Sequence, residues 1–589
     1  MNSFFKTFFA ALLALVAFSV ITTVISIIIL VAVSSAVMSG NKNGVLSDNS
    51  VIVVDLNNNY KELSEPGLLS SLGQGVDNDV PSLYDLVRMI RHAKTDNSIK
   101  GIYLKCDGND NGFASSEEIR SALIDFKSGG KFVFAYANVI SQKAYYIANA
   151  ANRLYCHPRG GVDWHGFAMQ MPFIKGTLEK LEIEPQIFYA GKFKSATEPL
   201  REYQMTDANK LQSSELMFDL YSNLLIKTSS AREIDTATLH RYADSNRVEF
   251  ASQALQNNMV DGLKYDDEVK DEIRGRLKIA KDATINFISV GKYASSVNFK
   301  KYGKGRIALI YAEGNIVDGS AERKNIGGDT YKNIIRKARL DKDIKAIVIR
   351  INSGGGSAMA SEVIWREIIL AKRVKPVVVS FGDVAASGGY YIACGADSIF
   401  AESTSITGSI GVFGILPNMQ KFFNDKLGVT FDEVKTSPDA NFMSVTKPLT
   451  PSQRLFFQNE IDTIYAGFKS RVAEGRKKSV EYIDSIAQGR VWSGSRALKL
   501  GLIDRIGSLD DAIASAASKA KLTDYRLSEY PEQKSFLESL LSKKSDDLKD
   551  AAIKEELGAE GYKTYMTIKN MQQFIGKAQA RLPFEITIE

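Results

Sequence analysis

Ser387 is the residue best placed to act as a nucleophile, in the run Val384-Ala385-Ala386-Ser387-Gly388-Gly389-Tyr390-Tyr391. The β-branched segment Pro376–Phe381 before it reads as a buried strand, and Tyr390–Ala396 after it reads as the start of a helix. A serine on a strand-to-helix turn, flanked by residues with almost no side chain, is accessible and lies near the positive end of a helix dipole. That is where a nucleophile and its oxyanion donors belong. The same small residues also suit a helix packed closely on a sheet, so the turn alone leaves both readings open.

A serine hydroxyl needs a base. The histidines, His92, His157, His165 and His240, all lie in the first half of the chain, and none has a neighbourhood that marks it as catalytic. A Ser-His-Asp triad that borrows one of them stays open. A lysine kept neutral by burial is the alternative, because desolvation depresses the pKa of an amine. Composition does not choose among so many lysines.

The elements that must position Ser387 are written twice. Val384–Phe400 matches Val139–Tyr155 at an offset of 245 residues (390 − 145). At the same offset Lys345–Asn352 lies over Lys100–Asp107, and Arg490–Asp504 lies over Arg247–Asp261 at 243 (504 − 261). Matched halves at nearly constant spacing imply a duplicated domain. In the second copy Arg306–Tyr311, Ala346–Ile351 and Val377–Phe381 predict strands, with a helix from Ala358 to Arg373. Strands alternating with helices make each copy an α/β domain with a largely parallel sheet.

The duplication supplies an internal control. Ser387 faces Gln142, Gly388 faces Lys143, Gly354-Gly355-Gly356 faces Asn109-Asp110-Asn111, and Ser409 faces Trp164. A serine kept only for packing should have a small residue as its duplicate, and Gln142 is not one. The second copy alone therefore carries a nucleophile and a glycine loop whose amides could hold an oxyanion, worth ~3–4 kcal/mol per donor.

The chain divides into an N-terminal segment 1–45, a first repeat 46–268, a connector with edge structure 269–305, a second repeat 306–522 and a charged tail 523–589. Within that tail Ser535–Ala580 is patterned as a solvated helix, suited to an oligomer contact or a surface rather than to a site. No residue from Thr7 to Gly40 is charged, and Phe8–Val33 is nearly all apolar. That exceeds both the ~20 residues that span a bilayer and the ~7–15 of a signal-peptide core, so an uncleaved membrane anchor is expected. Lys6 before the span, with Lys42 and Asp48 after it, leaves the orientation undecided. A net charge of +6 with no basic cluster interleaved with aromatics excludes nucleic-acid binding. Cys106, Cys156 and Cys394 are odd in number and form no close pair, so neither a disulfide framework nor a zinc site is expected. They read as small buried hydrophobes.

Three segments together resemble the signature segments of bacterial signal peptide peptidase A (protease IV) in its long, duplicated form. They are Asn352-Ser353-Gly354-Gly355-Gly356-Ser357, Ala386-Ser387-Gly388-Gly389-Tyr390-Tyr391 and Thr407-Gly408-Ser409-Ile410-Gly411-Val412. In the first half, Gly191-Lys192-Phe193-Lys194-Ser195-Ala196-Thr197-Glu198-Pro199 looks like that family's lysine motif, and the resemblance covers residues 1–520. It implies tandem duplicated spiral ββα domains of the Clp protease/crotonase type behind an N-terminal transmembrane helix. It makes Ser387 the nucleophile, Lys194 rather than Lys192 the general base, and Ser409 the serine that orients the lysine. The amides of Gly356 and Gly388 become the oxyanion donors, and neither half should work alone. The activity implied is that of a Ser-Lys serine endopeptidase that degrades cleaved signal peptides and similar apolar peptides. It implies a homotetramer anchored in the bacterial inner membrane, with its catalytic body on the periplasmic side and no metal or cofactor. One departure is Gly354, where the family usually has proline, which loosens the loop. Two competing readings are a crotonase-like acyl-CoA hydratase or thioesterase on the same fold, and a non-catalytic membrane scaffold.

Overall fold

The computed structural model describes residues 48–63, 80–300, 302–321, 325–532 and 576–582, with 13–25 and a few isolated positions besides. Along the first copy run β1 (Ser50–Asp55), β2 (Ile99–Lys105), β3 (Phe132–Ile140) and β4 (Arg153–Val162), followed by β5 (Glu184–Ala190), β6 (Gly262–Leu263) and β7 (Phe287–Ser289). The second copy supplies β8 (Gly305–Glu313), β9 (Asn315–Val317), β10 (Asn325–Gly327), β11 (Ile344–Ser353), β12 (Gly355–Ser357) and β13 (Val377–Ala386). After these come β14 (Ser398–Ala401), β15 (Ile406–Gly408), β16 (Val412–Asn418), β17 (Val491–Ser493), β18 (Arg505–Ile506), β19 (Tyr525–Tyr530) and β20 (Gln579–Arg581).

The first sheet has the order β6-β4-β3-β2-β1-β7 and is parallel throughout. The sheet of the second copy runs β17-β15-β13-β11-β8-β19, with β14 on β13 and β18 on β14. It repeats the first: β11 and β13 take the places of β2 and β3, and β14 with β15 covers what β4 covers alone. Helices on the faces bury these sheets, and the apolar residues of β11 (Ile347, Val348, Ile349, Ile351) are at most 1% exposed. That is why the strand reads as an almost unbroken aliphatic run. Cys106, Cys156 and Cys394 are buried and unpaired.

The stretch 269–305 carries the edge structure expected of it, and the boundary at 522 falls short of the second copy's last strand. The connector contains β7, which pairs with β1, and the tail begins with β19, which pairs with β8 in the same way. Each is the edge strand of its own copy. Residues 579–581, placed by the sequence at the end of a surface helix, form β20 instead, because two open strand edges receive them. The rest of that expected helix lies largely outside the described residues. Of the apolar stretch Phe8–Val33, residues 8 and 13–25 are described and helical, and the rest lies outside them. Among the described residues no helix is long and apolar enough to cross a membrane.

A third sheet, β10-β9-β12-β20-β16-β5, joins the copies, since β5 of the first lies antiparallel on β16 of the second. Buried charge joins them again. Arg350 of β11 is 1% exposed and pairs with Glu62 at 2.7 Å and Glu118 at 2.8 Å, both from the first copy. Asp383 of β13 accepts from the Ser115 amide at 3.0 Å and the Ser115 hydroxyl at 2.5 Å. The copies therefore meet four residues before Ser387 (387 − 383).

Candidate active site

β13 ends at Ala386, and the helix Gly388–Ala393 begins two residues later, so Ser387 is the whole of the turn. Its backbone has φ 53° and ψ −115°, strained for any residue with a Cβ. The Ser387 amide donates to the Gly408 carbonyl at 2.8 Å, and the Thr407 hydroxyl donates to the Ala385 carbonyl at 2.7 Å. The β15 segment thus holds the turn open. The side chain is not accessible as the sequence implied: Ser387 is fully buried. Lys194 and the strand β20 lie against its turn.

Lys194 comes from the other copy, four residues beyond β5 (194 − 190), and is 1% exposed. Its Nζ lies 2.9 Å from Ser387 Oγ, 3.0 Å from Ser409 Oγ and 3.3 Å from the Ser409 carbonyl. Burial holds its pKa well below the ordinary lysine value, and no carboxylate opposes that shift. Lys192, the neighbour not chosen, sits outside this pocket, with its Nζ over the Phe193 ring. No histidine hydrogen-bonds to Ser387: His92 engages Tyr293, His165 lies against Asp163 and Asn246, and His240 lies against Tyr221.

The glycine loop lies across the turn from Ser387. Gly355 has φ 99°, and a Cβ on Gly356 would stand 2.0 Å from the Ile316 carbonyl oxygen. Neither position admits a side chain. A Cβ on Gly355 would also come within 2.7 Å of the Gly388 amide nitrogen. The two loops expected to supply oxyanion donors are therefore adjacent, and bare backbone lies between them.

The first copy fills the matching positions with other side chains. Ser387 Oγ donates to the Gly411 carbonyl at 3.4 Å; its duplicate Gln142 donates from Nε2 to the Gly166 carbonyl at 2.8 Å, the matching position (411 − 166 = 245). Gln142 Oε1 also accepts the amides of His165 and Gly166. Where the second copy has its glycine loop, Asn109 and Asn111 fill the space with side-chain hydrogen bonds.

Sequence reasoning missed the segment that fastens the lysine. Gly489 has φ 75°, and a Cβ there would stand 2.7 Å from Lys194 Cα. The Phe193 amide donates to Gln488, the Gly489 amide to Ile410 and the Ser409 amide to Arg490, all at 2.7–2.8 Å. One strip of backbone thereby fixes both Lys194 and Ser409. A signal was present: at the offset of 243 Gly489 faces Asn246, the residue type most at ease in the left-handed region, here at φ 49°. Gln212 was also missed; its Nε2 reaches the Phe193 carbonyl and Ser195 Oγ.

A strained serine at a strand-to-helix turn, a buried lysine against it and a bare glycine loop, set in duplicated α/β domains, make up an arrangement suited to a serine hydrolase. Comparison with known proteins specifies it further. Residues 125–280 and 369–523 match the model of peptidase family S49, one match in each copy. The chain is 39% identical to Protease 4 of Salmonella typhi over 471 residues, covering 78% of this chain and 75% of that protein. It is 33% identical to Protease 4 of Haemophilus influenzae over 536 residues, 88% and 83% of the respective chains. A protein of Enterococcus faecium named putative signal peptide peptidase SppA is 33% identical over 209 residues, 35% of this chain and 60% of that one. The chain belongs to peptidase family S49 and is a serine peptidase. That sets aside the hydratase and scaffold readings.

Proposed function

We propose that this peptidase works through a dyad split between its two copies, with Ser387 as nucleophile and Lys194 as general base. The observation that carries the reading is the 2.9 Å contact between Lys194 Nζ and Ser387 Oγ in a fully buried pocket with no carboxylate partner for the amine. Neutral Lys194 accepts the Ser387 proton, and the oxygen attacks a peptide carbonyl. The oxyanion rests on the Gly356 and Gly388 amides. Lys194, now charged and held by Ser409, protonates the leaving amine and then activates the water that releases the acyl group. Ser409 acts only by positioning the lysine.

The substrates are cleaved signal peptides and other apolar peptides, a reading supported by the family and by the name of the Enterococcus relative. The domain division is the one given above, with β7 and β19 added to their copies. The apolar stretch 8–33 anchors the chain in the bacterial inner membrane, the body faces the periplasm, and the assembly is a homotetramer. The test is cleavage of a synthetic signal peptide by the parent chain, Ser387→Ala and Lys194→Ala, with products identified by mass. Both variants are expected to lose cleavage while keeping the parent's thermal transition and assembly; cleavage at the parental rate by either overturns the dyad.

A further inference from the structure

We propose that the gap between β12 and β16 is a strand-accepting slot, and that residues 576–582 of the same chain occupy it as a built-in ligand that peptide substrates must displace. The inference rests on the peptidase reading of this site.

The slot is visible in the strand order. β20 lies between β12 and β16 and is antiparallel to both. Without it, two strand edges face each other with unpaired amides and carbonyls, the arrangement that captures an extended peptide. The occupant is held along its length. The Leu582 amide donates to the Gly354 carbonyl at 2.7 Å, the Ala358 amide to Ala578 at 3.3 Å, and the Gly576 amide to Ile415 at 3.0 Å.

The register places this segment on the chemistry. Gly355 faces Arg581, Gly356 faces Ala580 and Ser357 faces Gln579. Bonds at the 354/582 and 358/578 positions fix the phase of the ladder. By the alternation of an antiparallel pair, Gly356 and Ala580 form the hydrogen-bonding pair between them. The Ala580 carbonyl oxygen also lies 2.9 Å from where a Cβ on Gly388 would stand, and 2.1 Å from one on Gly355. A main-chain carbonyl thus sits in the bare cradle between the glycine loop and the nucleophile turn, where a scissile carbonyl belongs.

Side chains anchor the segment on the far side. Leu582 is 6% exposed and packs with Leu216, Ala386, Ile406 and Val491. Leu216 belongs to the first copy and the others to the second, so the two copies together form an apolar pocket beside Ser387. A peptide that displaces β20 would place its own apolar side chain there. Residues on both sides of Ala580 are held, so an amine released by attack at Ala580 would stay in place and re-form the bond. The segment is therefore an inhibitor rather than a substrate. Only three residues are in strand pairing, so the occupant is weak by itself and depends on its covalent tether.

The test uses the full chain with Leu582→Asp, which puts a carboxylate in the apolar pocket, and separately Ala580→Pro, which removes a ladder amide. KM and kcat on a fluorogenic peptide, the rate of Ser387 labelling by a fluorophosphonate, and the intact mass are measured. If the slot is open about a tenth of the time in the parent, KM falls ~10-fold in both variants and labelling accelerates similarly, with kcat unchanged. The peptide Gly-Lys-Ala-Gln-Ala-Arg-Leu, copied from 576–582, then inhibits both variants competitively. Unchanged KM and labelling in both variants overturn the proposal, as does a parent chain cut after Ala580. Absence of labelling and cleavage in every form, the parent included, overturns the peptidase reading itself and the proposal with it.

Discussion

Replacing Ser409 by glycine isolates the contribution of the lysine's tether. Ser409 sits at φ 50°, where glycine is unstrained, so Ser409→Gly removes the hydroxyl without bending the loop and leaves the carbonyl at 3.3 Å in place. What is lost is the 3.0 Å bond between Ser409 Oγ and Lys194 Nζ. Before reaction that bond joins neutral groups and counts for little. Once Lys194 has taken the Ser387 proton the donor is an ammonium, and such a bond is worth about 1.5–3 kcal/mol. At 1.36 kcal/mol per decade, kcat falls about 10- to 150-fold. KM is unchanged, because Ser409 does not touch the strand slot. Losing an acceptor of the charged form also lowers the lysine's pKa further, so the acid limb of kcat/KM moves to lower pH. The assay is peptide hydrolysis from about pH 6 to 10 at saturating and limiting substrate. A kcat within twofold of the parent, or an acid limb displaced to higher pH, refutes the tether.

Three further outcomes follow from buried groups. Lys194 is depressed in the folded state, so between its folded and unfolded pKa the unfolded chain binds the extra proton and stability rises with pH. Lys194→Met should abolish that slope and raise the denaturation midpoint at neutral pH, measured by urea unfolding at several pH values. Arg350→Met strands Glu62 and Glu118 in the interior and should cost about 3–5 kcal/mol, by chemical denaturation. Burial already pushes Glu62 up to about 7, so protonation relieves the variant and its deficit shrinks as pH falls. Gln142→Ala deletes three hydrogen bonds in the first copy and should lower stability by about 1–3 kcal/mol, while Ser387 still reacts with a fluorophosphonate.

How far the site was legible depended on which parts the duplication exposed. Ser387 stood out because its duplicate is Gln142, a larger side chain that fills the matching space with hydrogen bonds. The alternating strands and helices were equally plain, since β11 and β13 are continuous aliphatic runs. Lys194 was different: a lysine after a strand is usually solvated, and nothing local shows that β5 crosses to the other copy and lies on β16. Only the motif resemblance pointed to it. The fastening by Gly489 was hidden because a glycine's close approach to Lys194 Cα is a tertiary fact. β20 was least legible of all, since three residues carry no periodicity and its neighbours belong to a charged, helix-patterned stretch.

The dyad itself is tested most directly by the rate at which a fluorophosphonate labels Ser387 in the parent chain and in Lys194→Ala, measured across pH. The geometry predicts that labelling of the parent accelerates as the buried lysine loses its proton, and that Lys194→Ala labels about 100-fold more slowly with no such rise. Labelling of Lys194→Ala at the parental rate, with the same pH profile, would contradict a base held by the other copy of the domain.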